Sequence, residues 1–463
     1  MFKEGLAKKI FPDKAFWKML LTFSMPIAMQ YMSTAVLGII DVSVISFMGE
    51  TTVAAVSLAN QLFYLVSLIT FGLTSGASVY ISRSYGEQNP QGVRKTFSVT
   101  LFLSLILNLV IMLFCLFWPE VSLGFFTNEA QTIKEGAIYL VIITPAFMLY
   151  SLTNTYVAFF RSVKKPGVPM VATMVSLGLK VLLNYVLIYG FWFIPAMGIK
   201  GAALSTLISK IIEAVIYLIY IALYKEREYV FRLSDIKYFN FKNISSFVSK
   251  IYAIILNESL WGIGLTAFNA IFGRMGDAAV SAVSIARQLE NLGNAFFCGI
   301  AVSACVTISC SIGEKKYDEA KEFAYKYSFA GFYVGAAVMA LMLAIDVPYV
   351  KIFFSSLEPK TQSLAIWLTA IYAIYMPFRS LASILIMGAM RAGGDSKRAM
   401  FYDVVPVYLW SLLLGFLLAF KFNYSIIIVL LVMMFKRVIK CLFALRRVVS
   451  GKWMNYSEIE AKV

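Results

Sequence analysis

The sequence predicts an all-helical membrane protein of twelve transmembrane helices, arranged as two related halves of six helices each. The composition is the first reason, because 60% of the 463 residues are hydrophobic and only 14% are charged, whereas soluble domains carry about 25% charged residues. The second reason is that twelve apolar segments are long enough to cross a bilayer. The third is an internal repeat that relates the first half of the chain to the second.

The twelve apolar segments follow from the length of roughly 20 residues that a helix needs to cross the hydrocarbon core of a bilayer. In chain order they are 16–47, 53–82, 97–118, 136–160, 168–192, 198–224, 250–273, 279–311, 324–345, 361–390, 398–420 and 424–445. A polar stretch, KEREYVFRLSDIKYFNFKN, follows the sixth segment. We therefore predict an N-lobe at residues 1–224, a cytoplasmic linker at 225–249 and a C-lobe at 250–463.

The repeat is visible in the second and eighth segments. MGETTVAAVSLANQLFYLVSLITFGLTSGASVYISRSYGE (48–87) aligns without gaps with MGDAAVSAVSIARQLENLGNAFFCGIAVSACVTISCSIGE (275–314), and 18 of 40 positions are identical. A weaker match relates FFRSVKKPGVPM (159–170) to AMRAGGDSKRAM (389–400). Since six is an even number, both halves enter the membrane from the same side. Their pseudo-twofold axis then runs along the membrane normal, with a cavity between the halves.

Lysine and arginine are distributed unevenly between the predicted loops. The two ends and every second loop hold thirty of these residues. The loops on the other side hold six, namely Lys134, Lys200, Arg274, Lys351, Lys360 and Lys421. Because positively charged loops stay in the cytoplasm, we expect both termini there and place the protein in a bacterial cytoplasmic (inner) membrane.

Several classes of function are excluded by the same residues. The net charge of +16 lies in short loops between apolar segments, so the membrane explains it better than nucleic acid does. The chain has no histidine and no CxxC pair among its five cysteines, which excludes His-based relays and triads and indicates neither a zinc site nor a disulfide framework. The loop MRAGGDSK lacks the GxxxxGK[ST] spacing of a nucleotide cradle.

Charged residues inside the predicted spans are candidates for function, since each costs at least about 2.5–3.5 kcal/mol at the bilayer centre. There are five acids and four bases: Asp41, Glu213, Glu258, Glu290, Asp403, Lys180, Lys210, Arg287 and Arg379. At about 1.5 Å per residue, Asp41 and Asn184 lie at similar depth and Lys180 lies one turn deeper. We expect Lys180 to pair with Asp41, or else to turn toward the cavity and bind an anionic substrate group.

A second charged cluster is predicted in the C-lobe, where Glu258 lies at a depth comparable to that of Arg287 and Glu290. Arg287 and Glu290 are three residues apart on one helix, a spacing that also suits a structural ion pair. Lys210 and Glu213 have the same spacing and are interpreted as structural. Asp403, near the cytosolic end of its span, is interpreted as interfacial.

Taken together, the repeated segments, the two loops at 159–170 and 389–400, and LIYGFWFIPAMGIKGAALST after the fifth span resemble the multidrug and toxic compound extrusion (MATE) family over nearly the whole chain. This resemblance implies a V-shaped pair of six-helix bundles that exports small organic, drug-like compounds in exchange for protons or sodium ions. It also implies that the coupling and substrate positions include the following residues: Asp41, Asn154, Asn184, Thr206 and Glu258.

Two departures from the family pattern bear on the coupling ion. An asparagine that some members carry one turn before Asn184 is Lys180 here, and the tenth span carries Arg379 but no acid. Both departures favour protons over sodium. We expect an antiporter that acts as a monomer in the lipid bilayer on an amphipathic or cationic small molecule, with no cofactor, resident metal or nucleic-acid partner.

Two other classes are weighed against the antiporter. A lipid-linked glycan flippase of the same broad superfamily is the main alternative, although such proteins usually have fourteen spans or a strongly basic cavity. A membrane-embedded enzyme would need a nucleophile or metal ligands clustered at one depth, and the sequence has no such cluster, so the chain is predicted not to be an enzyme.

Overall fold

A computed structural model describes residues 12–46, 48–224, 226–355 and 357–455 of the chain. Across these ranges the regular structure is helical, and the only β-type pairing is an isolated bridge between Phe191 and Ile194. The all-helical fold class predicted from the sequence is therefore confirmed. Both termini lie outside the described residues, so the side of the membrane on which they lie stays a prediction.

Eight helices precede the polar stretch that the sequence predicts as a linker. They are α1 (Lys14–Ser46), α2 (Glu50–Gly86), α3 (Pro90–Phe117), α4 (Pro119–Gly124), α5 (Ala130–Ile143), α6 (Pro145–Ser162), α7 (Gly167–Tyr189) and α8 (Ile199–Leu223). A short 3-10 helix then covers Leu233–Tyr238.

Eight further helices follow the polar stretch. They are α9 (Phe241–Gly273), α10 (Asp277–Gly313), α11 (Tyr317–Phe353), α12 (Pro359–Ile374), α13 (Met376–Met390), α14 (Ser396–Lys421), α15 (Ile426–Met434) and α16 (Lys436–Val449). Parts of α13 and α14 have the wider π-helical turn, which often occurs at functional sites.

Nine of the described helices are long and apolar enough to cross a membrane, and two bent pairs bring the number to as many as eleven. The pairs are α5 with α6, bent by 49°, and α12 with α13, bent by 43°. A proline lies at the start of the second helix of each pair, Pro145 and Pro377, where it removes a backbone hydrogen bond of the preceding turn. The twelfth predicted span corresponds to α15 and α16, whose basic residues lower its hydropathy.

The chain divides into two compact units. The N-terminal unit is Met32–Ile255, and the C-terminal unit comprises the described residues before Met32 together with the described residues from Leu256 onward. The bounds of the two units depend on which residues contact one another, and they fall within α1 and α9. The predicted boundary at residues 225–249 depends instead on the number of helices in each half, and it stays a prediction. Each unit has its own apolar core, formed around Phe147 in the N-terminal unit and around Phe297 in the C-terminal unit.

The sequence repeat reappears as a repeat of structure. Helices α2 and α10 each have 37 residues. Gly49 precedes α2 with φ 102° and ψ 161°, and Gly276 precedes α10 with φ 103° and ψ 163°. Each helix ends at a glutamate with nearly the same backbone angles, Glu87 and Glu314. The two halves therefore share local backbone geometry as well as residue identities.

Candidate functional site

The best-defined polar site of the N-terminal unit is built around Asp41 of α1. Lys180 Nζ lies 2.5 Å from Asp41 Oδ2, and Asn184 Nδ2 donates to Asp41 Oδ1 at 2.8 Å. Both donors belong to α7, one turn apart, so a single helix face presents them to α1. Asn184 Oδ1 in turn accepts a hydrogen bond from Ser205 Oγ of α8. Three helices are thus joined at one point, and the predicted contact between Asp41 and Lys180 is present.

The environment of this pair explains why it stays together. The Asp41 and Lys180 side chains are 19% and 14% exposed, and Asn184 is almost fully buried. A lone charge at this depth would meet hydrocarbon, whereas the pair is neutral and each carboxylate oxygen has a nitrogen donor. The ammonium of Lys180 thus neutralises the carboxylate that a coupling cation would otherwise meet.

Two other predicted positions of the N-terminal unit lie outside this direct network. Asn154 Nδ2 donates to Thr74 Oγ1 at 3.2 Å, and Thr206 Oγ1 donates to the carbonyl of Ala202 at 3.1 Å. Thr206 also forms a hydrogen bond with the hydroxyl of Tyr139, and Tyr139 interacts electrostatically with Asp41. The roles that the family resemblance implies for Asn154 and Thr206 stay predictions.

A second ion pair of the N-terminal unit connects α7 and α8. Lys210 Nζ lies 2.7 Å from Glu213 Oε2, and Thr173 Oγ1 donates to Glu213 Oε1 at 3.2 Å. Glu213 is buried, at 4% exposure. The predicted pairing of Lys210 with Glu213 is therefore present, and Thr173 completes it from the neighbouring helix.

In the C-terminal unit, Glu258 of α9 forms an ion pair with Arg391, which lies in a predicted loop. Arg391 Nη2 lies 2.7 Å from Glu258 Oε1, and Arg391 is only 2% exposed. The neighbouring Asn257 donates to Asp403 Oδ2 at 3.0 Å, and Lys440 Nζ lies 2.6 Å from Asp403 Oδ1. The carboxylate of Asp403 is thus held by two partners, and the interpretation of this residue as interfacial stays a prediction. The result is a neutral cluster of two acids and two bases.

Glu290 of α10 is bound differently from the prediction. Its Oε1 accepts from Arg379 of α13 and from Arg437 of α16, whereas Arg287 donates to Asn269 Oδ1. The predicted pair of Arg287 with Glu290, and a single cluster of both with Glu258, are therefore wrong. Counting residues along a helix gives the depth of a side chain but not its direction around the helix axis, and these three residues point toward different neighbours.

With this geometry established, comparison with known proteins decides the family. The MatE family model matches residues 26–186 and 253–417, which together make up well over half of the chain. The chain belongs to the MatE family. It is accordingly a multi-pass membrane transporter and not an enzyme.

Named relatives of this MatE transporter match it nearly end to end. The probable multidrug resistance protein NorM of Thermotoga maritima is 23% identical over 471 residues, covering 98% of this chain and 96% of the relative. A crystal structure of a variant of the Vibrio cholerae MATE transporter VcmN has a TM-score of 0.86 at 16% identity and covers 96% and 98% of the two chains. An outward-facing multidrug resistance MATE family transporter gives a TM-score of 0.82 at 17% identity, with the same coverage. At these identities the structural agreement is one of fold.

Several residues that complete the charged sites of this MatE transporter were missed in the sequence. Arg391, Arg437 and Lys440 are buried, yet they lie near cytoplasmic ends of spans and were counted with the loops. One signal was available: Arg437 and Lys440 lie inside the predicted twelfth span, 424–445. Arg437 and Lys440 therefore belong to the intramembrane charges and not to the loop charges that indicate orientation.

The described residues contain no group of three or more His, Cys, Asp or Glu side chains that could hold a metal ion. The carboxylates of Asp41, Glu213, Glu258, Glu290 and Asp403 each form an ion pair with at least one basic side chain, and Glu258 and Asp403 belong to the same cluster.

Proposed function

We propose that this MatE transporter exports small organic, drug-like compounds across a bacterial cytoplasmic membrane, driven by protons that move inward. The observation that carries this proposal is the Asp41 site in a transporter that matches NorM over almost its full length. Because that relative is named as a probable multidrug resistance protein, export of drug-like molecules is the activity that the resemblance supports.

The donors at Asp41 support protons rather than sodium as the coupling ion. Both carboxylate oxygens accept from nitrogen donors, and one of these donors is the ammonium of Lys180. A sodium ion needs oxygen ligands, and at Asp41 it would have to displace the ammonium of Lys180, which is covalently attached to the chain. A proton needs no such set of ligands, since it can neutralise Asp41 in a conformation in which Lys180 has moved away.

The test uses purified protein in proteoliposomes with a small panel of cationic and zwitterionic dyes. We expect an imposed proton gradient to drive dye movement and an equal sodium gradient to drive none. Protein-free liposomes and liposomes with the gradient collapsed by an ionophore are the controls. Movement driven only by sodium would reverse the choice of ion, and no movement under either gradient would contradict ion-coupled export.

The remaining expectations belong to the same proposal. The transporter acts as a monomer with both termini in the cytoplasm and works by alternating access. A lipid-linked glycan flippase is not favoured, because the relatives described above are named as multidrug resistance proteins or MATE transporters.

A further inference from the structure

Four cationic side chains of the C-terminal unit lie near one another, and two of them bind one carboxylate; we call this group the basic cluster. Its members are Arg287, Arg379, Lys436 and Arg437, with Glu290 as the acid. The four cations lie close enough to repel one another electrostatically. Asp41, Glu213, Glu258 and Asp403 each form an ion pair with one base, whereas Arg287 and Lys436 form no ion pair within the described residues. The basic cluster therefore carries positive charge that the described residues do not neutralise.

The position of the basic cluster makes this excess costly. Glu290 lies about 20 Å along α10 from its first residue, and Lys436 lies about 20 Å from the last residue of α16. Both depths are well inside a hydrocarbon core of about 30 Å. The Arg379 side chain still keeps 18% exposure. Since charged groups avoid lipid, this exposed part is expected to face a water-filled cavity that a solute can enter.

Two nitrogen groups of the basic cluster lack a polar partner within the described part of the chain. Arg437 is 7% exposed, and its Nη1 makes no hydrogen bond, although Nη2 binds Glu290. Lys436 makes no ion pair there, and its Nζ lies 3.7 Å from the centre of the Phe268 ring. For the buried Arg437, a donor without an acceptor costs about 1–3 kcal/mol. Lys436 is half-buried, and both groups can bind an acceptor that the described residues do not supply.

The walls of the basic cluster are aromatic. Phe268 lies under Lys436, and the Arg437 guanidinium lies 5.6 Å from the ring centre of Tyr372. Guanidinium and ammonium groups bind a carboxylate or sulfonate, and the apolar surroundings of these two cations suit an organic anion. Such a ligand would satisfy the free donors and offset the excess charge in one step.

We propose that the basic cluster is a binding site for small organic anions, which extends the cargo of the transporter beyond cations. The proposal rests on the proposed export function for its role in transport, but the binding itself requires no gradient. A carboxylate or sulfonate would accept from Arg437 Nη1 and Lys436 Nζ.

Equilibrium binding to the full-length protein in detergent tests the proposal, read by fluorescence anisotropy. The probes are carboxyfluorescein, an aromatic anion, and rhodamine 123, a cation with a related ring system. We expect Lys436→Met and Arg287→Gln each to weaken carboxyfluorescein binding by about tenfold or more, because each removes a charge from the site. Rhodamine 123 binding should stay the same or become tighter.

Lys351→Met is the matched control, since it removes the same charge from an exposed lysine at the end of α11. It should leave carboxyfluorescein binding unchanged. Lys436 forms no ion pair among the described residues, so its removal leaves no carboxylate unpaired. Thermal unfolding of each variant in detergent distinguishes a specific loss of dye binding from a general loss of folded protein.

Three results would overturn the proposal. Wild-type protein that binds no carboxyfluorescein, or binding that neither Lys436→Met nor Arg287→Gln weakens, would show that the cluster holds no organic anion. Binding of short-chain phosphatidylglycerol in place of the dye, lost in Lys436→Met, would show that the occupant is a lipid. Failure of dye export in proteoliposomes with anion binding intact would contradict the proposed function alone.

Discussion

Asp41 receives one nitrogen donor on each carboxylate oxygen, and this arrangement limits what the residue can do. Protonating Asp41 would leave the largely buried ammonium of Lys180 without its counter-charge. Breaking a buried pair by removing one partner costs about 3–5 kcal/mol. If protons drive transport as proposed, we expect proton uptake at Asp41 to accompany a movement of α7 relative to α1.

The pairing of Asp41 with Lys180 predicts non-additive effects of mutation. We expect Asp41→Asn alone to destabilise the protein more than the double variant Asp41→Asn with Lys180→Met does, because the single change leaves a buried cation unpaired. The coupling free energy should lie in the range of about 0.5–3 kcal/mol. Unfolding in mixed micelles measures the stability of the wild-type protein, the two single variants and the double variant. Strictly additive changes in the free energy of unfolding would show that the two residues do not act as a pair.

The same variants test the counter-ion role of Lys180 in transport. If the ammonium takes the place of a sodium ion, Lys180→Met should make export depend on sodium, which the wild-type protein should not require. Sodium-gradient-driven dye export in proteoliposomes is the measurement. Export by Lys180→Met that stays indifferent to sodium would count against the counter-ion role.

Glu258 is the residue of the C-terminal unit that we expect to carry coupling. Glu258→Gln should reduce gradient-driven export to background, because the amide cannot exchange a proton at this position. The exposed loop acid Glu129, changed to Gln, is the control and should leave export unchanged. Dye transport in proteoliposomes under a proton gradient is the measurement.

A structural role of Glu258 can be separated from a coupling role through Arg391. The single variant removes the carboxylate that Arg391 Nη2 contacts, so some loss of stability is expected. Adding Arg391→Gln removes the charge that this carboxylate balances and should restore part of the melting temperature without restoring export. Restored export in the double variant would mean that Glu258 only neutralises Arg391.

Among the helices, the two repeats place related polar contacts at matching positions but change the residue types. Extending the loop alignment of 159–170 with 389–400 into the next helix pairs Thr173 with Asp403. Counting from the first residues of α8 and α15 pairs Glu213 with Lys440. The contact between Thr173 and Glu213 in one repeat thus corresponds to the contact between Asp403 and Lys440 in the other. The repeats share the position of the contact and differ in its charge.

The matching turns before α2 and α10 give a test of the repeat. Gly49 and Gly276 have φ of 102° and 103°, and no atom lies within 4 Å of a Cβ built on either residue. An alanine there would meet backbone strain alone, so Gly49→Ala and Gly276→Ala should each destabilise the protein by about 1–3 kcal/mol. Unfolding in mixed micelles measures both.

Gly178 in the middle of α7 is the control for these two substitutions. It also has open space around a built Cβ, but its φ is not positive. Gly178→Ala should therefore stabilise the helix by roughly 0.5–1 kcal/mol. Equal effects at all three glycines would contradict the assignment of strain to the two turns.

The sequence predicted the elements better than the contacts between them, for a physical reason. Hydropathy and the repeat determine the number and order of the helices, because both depend on residues that are adjacent along the chain. Depth alone also brought Asp41 and Lys180 together, since α1 and α7 face each other at that height. It failed for Glu290, because Arg287 on the same helix is directed to Asn269 and the partners of Glu290 are Arg379 and Arg437. Partner choice depends on helix rotation, which a single sequence does not record.

Across the whole molecule, the uneven distribution of lysine and arginine still determines the predicted orientation. Some of the residues counted as cytoplasmic, such as Arg391 and Lys440, are buried in ion pairs and should be left out of the count. The exposed loops keep the same bias: Lys164 follows α6 and Lys316 follows α10 on the predicted cytoplasmic side. Glu129, before α5, lies on the opposite side of that arrangement.

Single-cysteine labelling measures this orientation directly. The five native cysteines are replaced first: Cys115, Cys298, Cys305, Cys310 and Cys441. Cysteines at the exposed positions Lys164 and Lys316 should react with an impermeant maleimide only after the membrane is opened, and one at Glu129 should react in intact cells. Ser457, which lies outside the described residues, tests the C-terminus in the same way. The number of spans between Glu129 and Lys316 is odd in the twelve-helix arrangement, so labelling of both from one side would contradict it.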